Sequence, residues 1–295
     1  MAAPVTVAED EYLGEHHVYR PHRAGLPPLG RYLRELWKRR AFVRELARAE
    51  LKAQNYQTVF GQVWLVLNPL LNAAVYFFLV DILSSGKGRP SNYITHLLAG
   101  IFAYTFFQSG VSQSAGSVVG GGKLILNTAF PRLLLPITQV VIAFFRFLPT
   151  LPVLAVVLWF NNRDNISWNL LWTIPDFALL ILFTAGLGFI CATLQVYNTD
   201  FKNLLPYLLR LGLYLTPILW FVRDPVTGAL TGGVRERIAT YNPLSAIFEI
   251  WSNSIVAGST TSPGIWLRAI VISAVMFVVG FVVYVSRERD YAVRI

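Results

Sequence analysis

IWLRAIVISAVMFVVGFVVYV, residues 265–285, carries a single charge, Arg268, in 21 positions. A run this long and this apolar has the length of a bilayer-spanning helix, which needs roughly 20 mostly apolar residues. Five further stretches repeat the pattern: Val63–Leu83, Tyr93–Gln113, Leu133–Phe160, Leu170–Tyr197 and Leu204–Val222. The second ends in the small, polar run Gln108-Ser109-Gly110-Val111-Ser112-Gln113. The third and fourth exceed one span and are expected to include interfacial turns. Composition agrees: of 295 residues, 55% are apolar and 14% charged, against about 25% charged in a typical soluble domain. The reading is an all-α integral membrane protein with six transmembrane helices over residues 62–286. A water-soluble enzyme is excluded, and the single cysteine, Cys191, excludes an intrachain disulfide framework.

Net charge is +9, from 25 Lys and Arg against 16 Asp and Glu. With the N-terminus inside, sixteen basic residues fall on cytoplasmic segments and seven outside, while Arg146 and Arg210 lie within spans. Positive charge collects on the cytoplasmic side, so both termini are expected there, in a cytoplasmic membrane. Nucleic acid drops out as a partner. Residues 1–30 form a flexible tail without an apolar signal region, its acidic residues and His16-His17 read as solvated and not as a metal site. Residues 287–295 form a cytoplasmic C-tail.

Residues 31–57 follow a helical period. Leu33, Leu36, Trp37, Val43, Leu46, Ala47 and Leu51 share a stripe, while Arg34, Lys38, Arg40, Arg44, Arg48 and Lys52 occupy much of the rest. This is an amphipathic interface helix, suited to lie along anionic lipid. It either anchors the chain or also touches a cytoplasmic partner, and its pattern leaves both open.

Ser117-Val118-Val119-Gly120-Gly121-Gly122-Lys123-Leu124 mimics a phosphate loop, but Ser117 stands where the first glycine is needed and Leu124 where Ser or Thr would hold magnesium. The chain therefore has no nucleotide site of its own. Asp81 and Asp176 fall near the outer span ends, where water is available, and Glu249 in the outer loop. No cluster of catalytic groups and no intramembrane proton relay can be assembled.

Two charges stand apart. Arg146, between Phe145 and Phe147 with Pro149 and Pro152 after it, sits near the middle of the third span, and Arg210 two turns into the fifth. A charge at mid-bilayer costs about 3 kcal/mol or more, so it should face protein, water or a headgroup. Each is a candidate channel-side contact for an anionic group such as pyrophosphate, or else a structural ion pair or a hydrogen bond to backbone carbonyls at the proline breaks, with snorkelling as the alternative for Arg210. Phe145, Phe147, Tyr214 and Trp220 are the nearby flat rings that could stack on sugar, although an aromatic belt accounts for most of the chain's tryptophans. The long outer segment 223–262 contains an apolar stretch from Asn242 to Gly258, too short to cross, read as a re-entrant or interfacial helix pair that lids a pore.

Four motifs in order carry a resemblance: Leu51 to Pro69 (LKAQNYQTVFGQVWLVLNP), Phe130-Pro131-Arg132 followed by Leu135-Pro136, Thr216-Pro217-Ile218, and Tyr241-Asn242-Pro243-Leu244. From Arg31 onward the chain resembles the permease subunit of ABC-2 type exporters of the O-antigen and teichoic-acid group. One departure is Asn198-Thr199-Asp200-Phe201-Lys202, which keeps the acid of that family's Arg-Asp pair and lacks the arginine, so only Asp200 carries over.

The resemblance implies a homodimeric channel with two ATP-binding cassette subunits beneath it, which would hold the ATP and magnesium. It implies a coupling region at 114–132, with Gly122, Lys123, Asn127, Phe130, Pro131, Arg132 and Asp200 as coupling residues. The implied cargo is a lipid-linked polysaccharide, with a cell-wall galactan as one candidate. An ABC-2 exporter of a drug or small lipid is the alternative, and a proton-driven carrier or membrane enzyme a further one.

Overall fold

The computed structural model describes residues 28–54, 60–84, 92–127, 130–163, 166–222 and 232–294. Every regular element among them is helical. Four segments are long and apolar enough to cross a membrane: Tyr93–Gly120, Leu134–Asn161, Trp168–Tyr197 and Pro263–Asp290.

The expected interface helix is two helices, α1 (Leu29–Lys38) and α2 (Arg40–Gln54), broken at Arg39. Helix α1 turns Tyr32 and Leu36 toward the protein and exposes Leu29, Leu33 and Trp37, four residues apart. The seven candidate residues Arg34, Trp37, Lys38, Arg40, Arg44, Arg48 and Lys52 are all exposed. The Arg40 guanidinium lies 4.8 Å from the Trp37 ring. A basic and aromatic surface with one apolar row suits a headgroup boundary.

Helix α3 (Trp64–Ser84) leads to α4 (Tyr93–Gly120), the hub of the bundle. In α4, 72% of the apolar window is buried, against 28% in α12 (Pro263–Arg287), so α4 is central and α12 peripheral. Helix α4 runs seven residues beyond the expected end at Gln113. Its small residues make that possible: Gly110 meets Thr184, and Ser114 meets Gly188. Close approach through small side chains is how helices associate where apolar burial drives nothing. The Ser114 hydroxyl finds a partner in the Pro136 carbonyl at 3.1 Å.

After the short α5 (Gly122–Asn127), the third long segment is α6 (Leu134–Phe147) continued by α7 (Thr150–Asn161), with a turn at Leu148-Pro149. Proline has no N–H to donate, and its ring disturbs the turn before it. Helix α8 (Thr173–Tyr197) is preceded by a 3-10 turn, Trp168–Trp172.

The fifth apolar stretch, expected to run to Val222, is helical only over α9 (Phe201–Leu215). Thr216 precedes Pro217 and is pushed into extended backbone at φ −87° and ψ 142°. The carbonyls this frees are capped from two directions. Trp220 Nε1 donates to the Tyr214 carbonyl at 3.2 Å, and Asn242 Nδ2 to the Leu215 carbonyl at 2.9 Å. Asn242 Oδ1 also accepts the Leu244 N–H at 2.9 Å. The Thr216-Pro217-Ile218 and Tyr241-Asn242-Pro243-Leu244 motifs thus meet at a helix end. Asn242→Ala is expected to cost about 1–3 kcal/mol by orphaning these groups, read as a lowered thermal midpoint of the detergent-solubilised protein.

Residues 223–231 of the expected outer segment lie outside the described residues. The stretch expected as a helix pair, Asn242 to Gly258, holds one helix, α11 (Ser245–Ser252), continued by a π-helical turn Asn253–Ala257, while a further, mostly exposed helix, α10 (Gly233–Tyr241), precedes it. Residues 245–251 of α11 are all buried, Glu249 included, so this element is core and not a free outer loop. Trp251 Nε1 donates to the Ala99 carbonyl at 3.0 Å. Asn162 Nδ2 donates to the Val256 carbonyl at 2.8 Å and Asn169 Nδ2 to the Gly258 carbonyl at 2.6 Å, tying the π-turn to the ends of α7 and α8.

The C-terminal segment packs two side chains into the protein while Arg287, Arg289 and Arg294 stay exposed. Glu288 and Tyr291 of the last turns, including α13 (Tyr291–Arg294), are buried.

Candidate functional site

A cleft of about 380 Å³ opens between α3, α4 and the α6–α7 junction. Its polar lining comes from three segments: Asn68 on α3, Thr105 and Ser109 on α4, and Arg146 and Thr150 around the proline break. Phe102, Phe106 and Phe147 supply much of the apolar wall. Such a mixture of apolar walls and few polar groups is the usual make-up of a ligand site.

Arg146 is half-buried, and its Nε is buried without a hydrogen-bond partner. Among the described residues it forms no ion pair. Glu50 of α2 is the carboxylate whose field reaches it, and Gln139 Nε2, two turns earlier on α6, holds that carboxylate at 3.0 Å. The cation therefore has a distant counter-charge and an open side, which suits an anion arriving from outside the chain. The alternative expectation, a structural ion pair, has no partner for Arg146 among the described residues.

The other channel candidates divide into two places. Phe147 borders the cleft but is buried, stacked on Phe177 at 4.4 Å, while Phe145 points away and is exposed. Arg210 lies elsewhere, on a face of α9 that also exposes Tyr207, Leu211 and Tyr214, opposite the buried row Leu205, Leu209 and Leu213. The Tyr214 ring meets Tyr76 of α3 at 6.2 Å, and the charge of Arg210 reaches Tyr76. Trp220 serves as the cap on α9.

The coupling candidates gather at the end that carries α1 and α2. Gly122 and Pro131 are buried, and Phe130 meets Phe42 of α2 at 5.3 Å. The side chains of Lys123 and Asn127 lie outside the described residues, as does that of Asp81. Asp200 is exposed at the start of α9. Arg132 turns inward: its guanidinium donates to the Glu288 carbonyl and its backbone N–H to the Glu288 carboxylate.

Around this contact sits a set of buried hydroxyls that hydropathy does not reveal. Tyr32 donates to Glu288 Oε2 at 2.5 Å, Tyr284 to the Arg132 carbonyl at 3.0 Å, and Tyr291 pairs with Thr193 at 2.7 Å. Burial first, then the Glu288 carboxylate, pushes the Tyr32 hydroxyl well above its ordinary pKa, so it stays a donor. Burial also raises Tyr291.

At the opposite end, Asp176 is fully buried and neither of its oxygens has a hydrogen-bond partner among the described residues, which corrects the expectation of a water-exposed carboxylate. It lies in the first turn of α8, where a helix N-terminus favours negative charge. His96 is buried too, stacked on Phe221 at 4.0 Å, with Nδ1 2.8 Å from the Ser252 hydroxyl.

No family model matches the chain. Curated relatives do. Two proteins of Klebsiella pneumoniae named O-antigen export system permease are 31% and 30% identical over 211 and 212 residues, covering 71% of this chain and 78% of theirs. One of the same name from Myxococcus xanthus is 23% identical over 262 residues, 89% of this chain and 98% of its own length. With its long apolar helices and its motifs in order, the chain belongs to the family of O-antigen export permeases, the membrane subunits of ABC-2 type exporters.

Proposed function

We propose that this chain is the membrane-spanning half of an ATP-driven exporter that moves a lipid-linked polysaccharide outward across the cytoplasmic membrane. Two copies pair to form the channel, and two ATP-binding subunits dock on the cytoplasmic side, bringing the ATP and magnesium. In this reading α3 and α9 complete six spans and both termini are cytoplasmic. The observation that carries it is the Arg146 cleft, where a cation with no ion pair among the described residues lines a polar-walled opening at mid-span. A phosphate or pyrophosphate on a lipid carrier has the charge to fill it, while a neutral drug or lipid has not.

Three features support the assembly. The exposed face of α9 puts Arg210 among apolar residues, about 14 Å from the helix start at 1.5 Å per residue. Lipid would be a costly neighbour for it, whereas a second copy enclosing an aqueous path would not. The α1–α2 surface, basic and aromatic, suits anionic headgroups and a docked subunit's rim. Helix α5 and the Phe130-Pro131-Arg132 motif lie beside α13 and α2, where a coupling element would need to be.

Depletion of the protein should trap lipid-linked glycan on the cytoplasmic leaflet, read by radiolabelled carrier accessibility in intact spheroplasts. Normal export in depleted cells would sink the reading. Arg210→Leu is expected to leave the exposed face folded and to lower export by about tenfold if its charge lines the path, the scale of one charged hydrogen bond. Unchanged export in that variant would remove Arg210 from the path.

A further inference from the structure

Glu288 joins three parts of the chain that are far apart in sequence. It is 9% exposed, at the start of the 3-10 turn Glu288–Asp290 that follows α12. Oε1 accepts the backbone N–H of Arg132, and Oε2 accepts the hydroxyl of Tyr32 on α1. The Glu288 carbonyl takes the Arg132 guanidinium, and one turn earlier the Tyr284 hydroxyl returns to the Arg132 carbonyl. Arg132 is therefore gripped at its N–H, its carbonyl and its side chain, all by the end of one helix. From there Tyr291 reaches Thr193 on α8.

A carboxylate surrounded by Tyr32, Tyr284 and Tyr291 is an expensive way to fill space, because apolar residues pack such a site without desolvating a charge. What the carboxylate adds is direction. Each oxygen is committed to a different body, α1 on one side and Arg132, two residues before α6, on the other, so neither can shift without drawing the other and α12 with it.

We propose that Glu288 is a positioning residue for energy coupling, the joint through which a displacement of the 114–132 region passes to α1 and α12 together. The role rests on the reading of that region as the place where an ATPase docks. It assigns Arg132 inward, to the joint, and leaves the outward contact to other residues of the region.

The test uses the full chain assembled with its ATPase in proteoliposomes. Glu288→Leu is expected to assemble and to keep basal ATP turnover. Hydrogen exchange in residues 29–38 should rise, and glycan-lipid exported per ATP should fall about tenfold, the scale of a lost charged hydrogen bond. Glu288→Gln should recover most of the coupling, since its amide oxygen accepts from Arg132 and its NH2 can donate to the Tyr32 oxygen. Should Glu288→Leu fail to assemble, Tyr32→Phe removes one bond only and takes the same measurements. Faster exchange in α1 with normal export per ATP would reduce Glu288 to a structural staple and overturn the proposal. Unchanged exchange would overturn it as well, because the joint would not be holding α1. A wild-type complex with no ATP-dependent export would overturn the docking reading and the coupling role with it. Normal coupling in wild type and variants alike removes the role of Glu288 alone.

Discussion

Gly280→Val is expected to prevent stable accumulation of the protein in the membrane. Helices α8 and α12 lie against each other along most of their length. The contact is closest where a Cβ on Gly280 would overlap the Gly186 carbonyl, and one on Gly186 would overlap the Met276 carbonyl. Both obstacles are backbone, so no side-chain rotation relieves them. Overpacking a core costs about 1–3 kcal/mol when side chains can adjust, and here the two helices must separate instead. Separation would open the aromatic seam beside the glycines, with Phe189 against Phe277 and Tyr284 at 5.9 Å and Trp172 against Trp266 at 5.5 Å. Among lipid tails these contacts are what holds the pair, because apolar burial alone favours neither partner over lipid. Gly264→Ala is the matched control, since a Cβ there meets nothing within 4 Å. It should match wild type in membrane yield and thermal midpoint. Gly280→Val at wild-type yield and midpoint would mean that α8 and α12 do not pack as described.

Hydropathy located the four helices long and apolar enough to cross, out of six expected, because length and apolar content are properties of the segment itself. It read their ends poorly. The run from Gln108 to Gln113 looks like an interface by composition, yet α4 continues to Gly120 because its small residues admit α8. The fifth stretch stays apolar to Val222, yet Pro217 stops its helix at Leu215, a local steric effect that an average over residues does not register. Glu249 and Asp176 read as water-accessible because carboxylates are seldom buried, and nothing in the pattern singles out Glu288. Only tertiary packing brings Tyr32 to Glu288 across 256 positions. Of the site, Arg146 was legible as a charge out of place. Its polar companions Asn68, Thr105, Ser109 and Thr150 were not, because single hydroxyls and amides in a span carry no pattern.

Arg146→Ala is expected to separate stability from function. The side chain forms no hydrogen bond or ion pair among the described residues, so its removal breaks no contact there and costs only the distant field of Glu50. It takes away a half-buried charge that the fold must otherwise tolerate, so the thermal midpoint of the empty permease should hold or rise. Export should fall. A guanidinium meeting a phosphate oxygen makes a charged hydrogen bond worth about 1.5–3 kcal/mol, which corresponds to roughly tenfold to a hundredfold in occupancy of the cleft. Arg146→Lys keeps the charge but not the planar fork that matches phosphate geometry, so it should recover export in part. The measurements are the detergent thermal midpoint and ATP-dependent export of lipid-linked glycan from reconstituted vesicles. A structural arginine predicts the reverse pattern, with a lower midpoint and export reduced only in proportion to the protein lost. Arg146→Ala with full export, or with instability that accounts for all of the export lost, would rule the cleft out as the place where the anionic carrier is held.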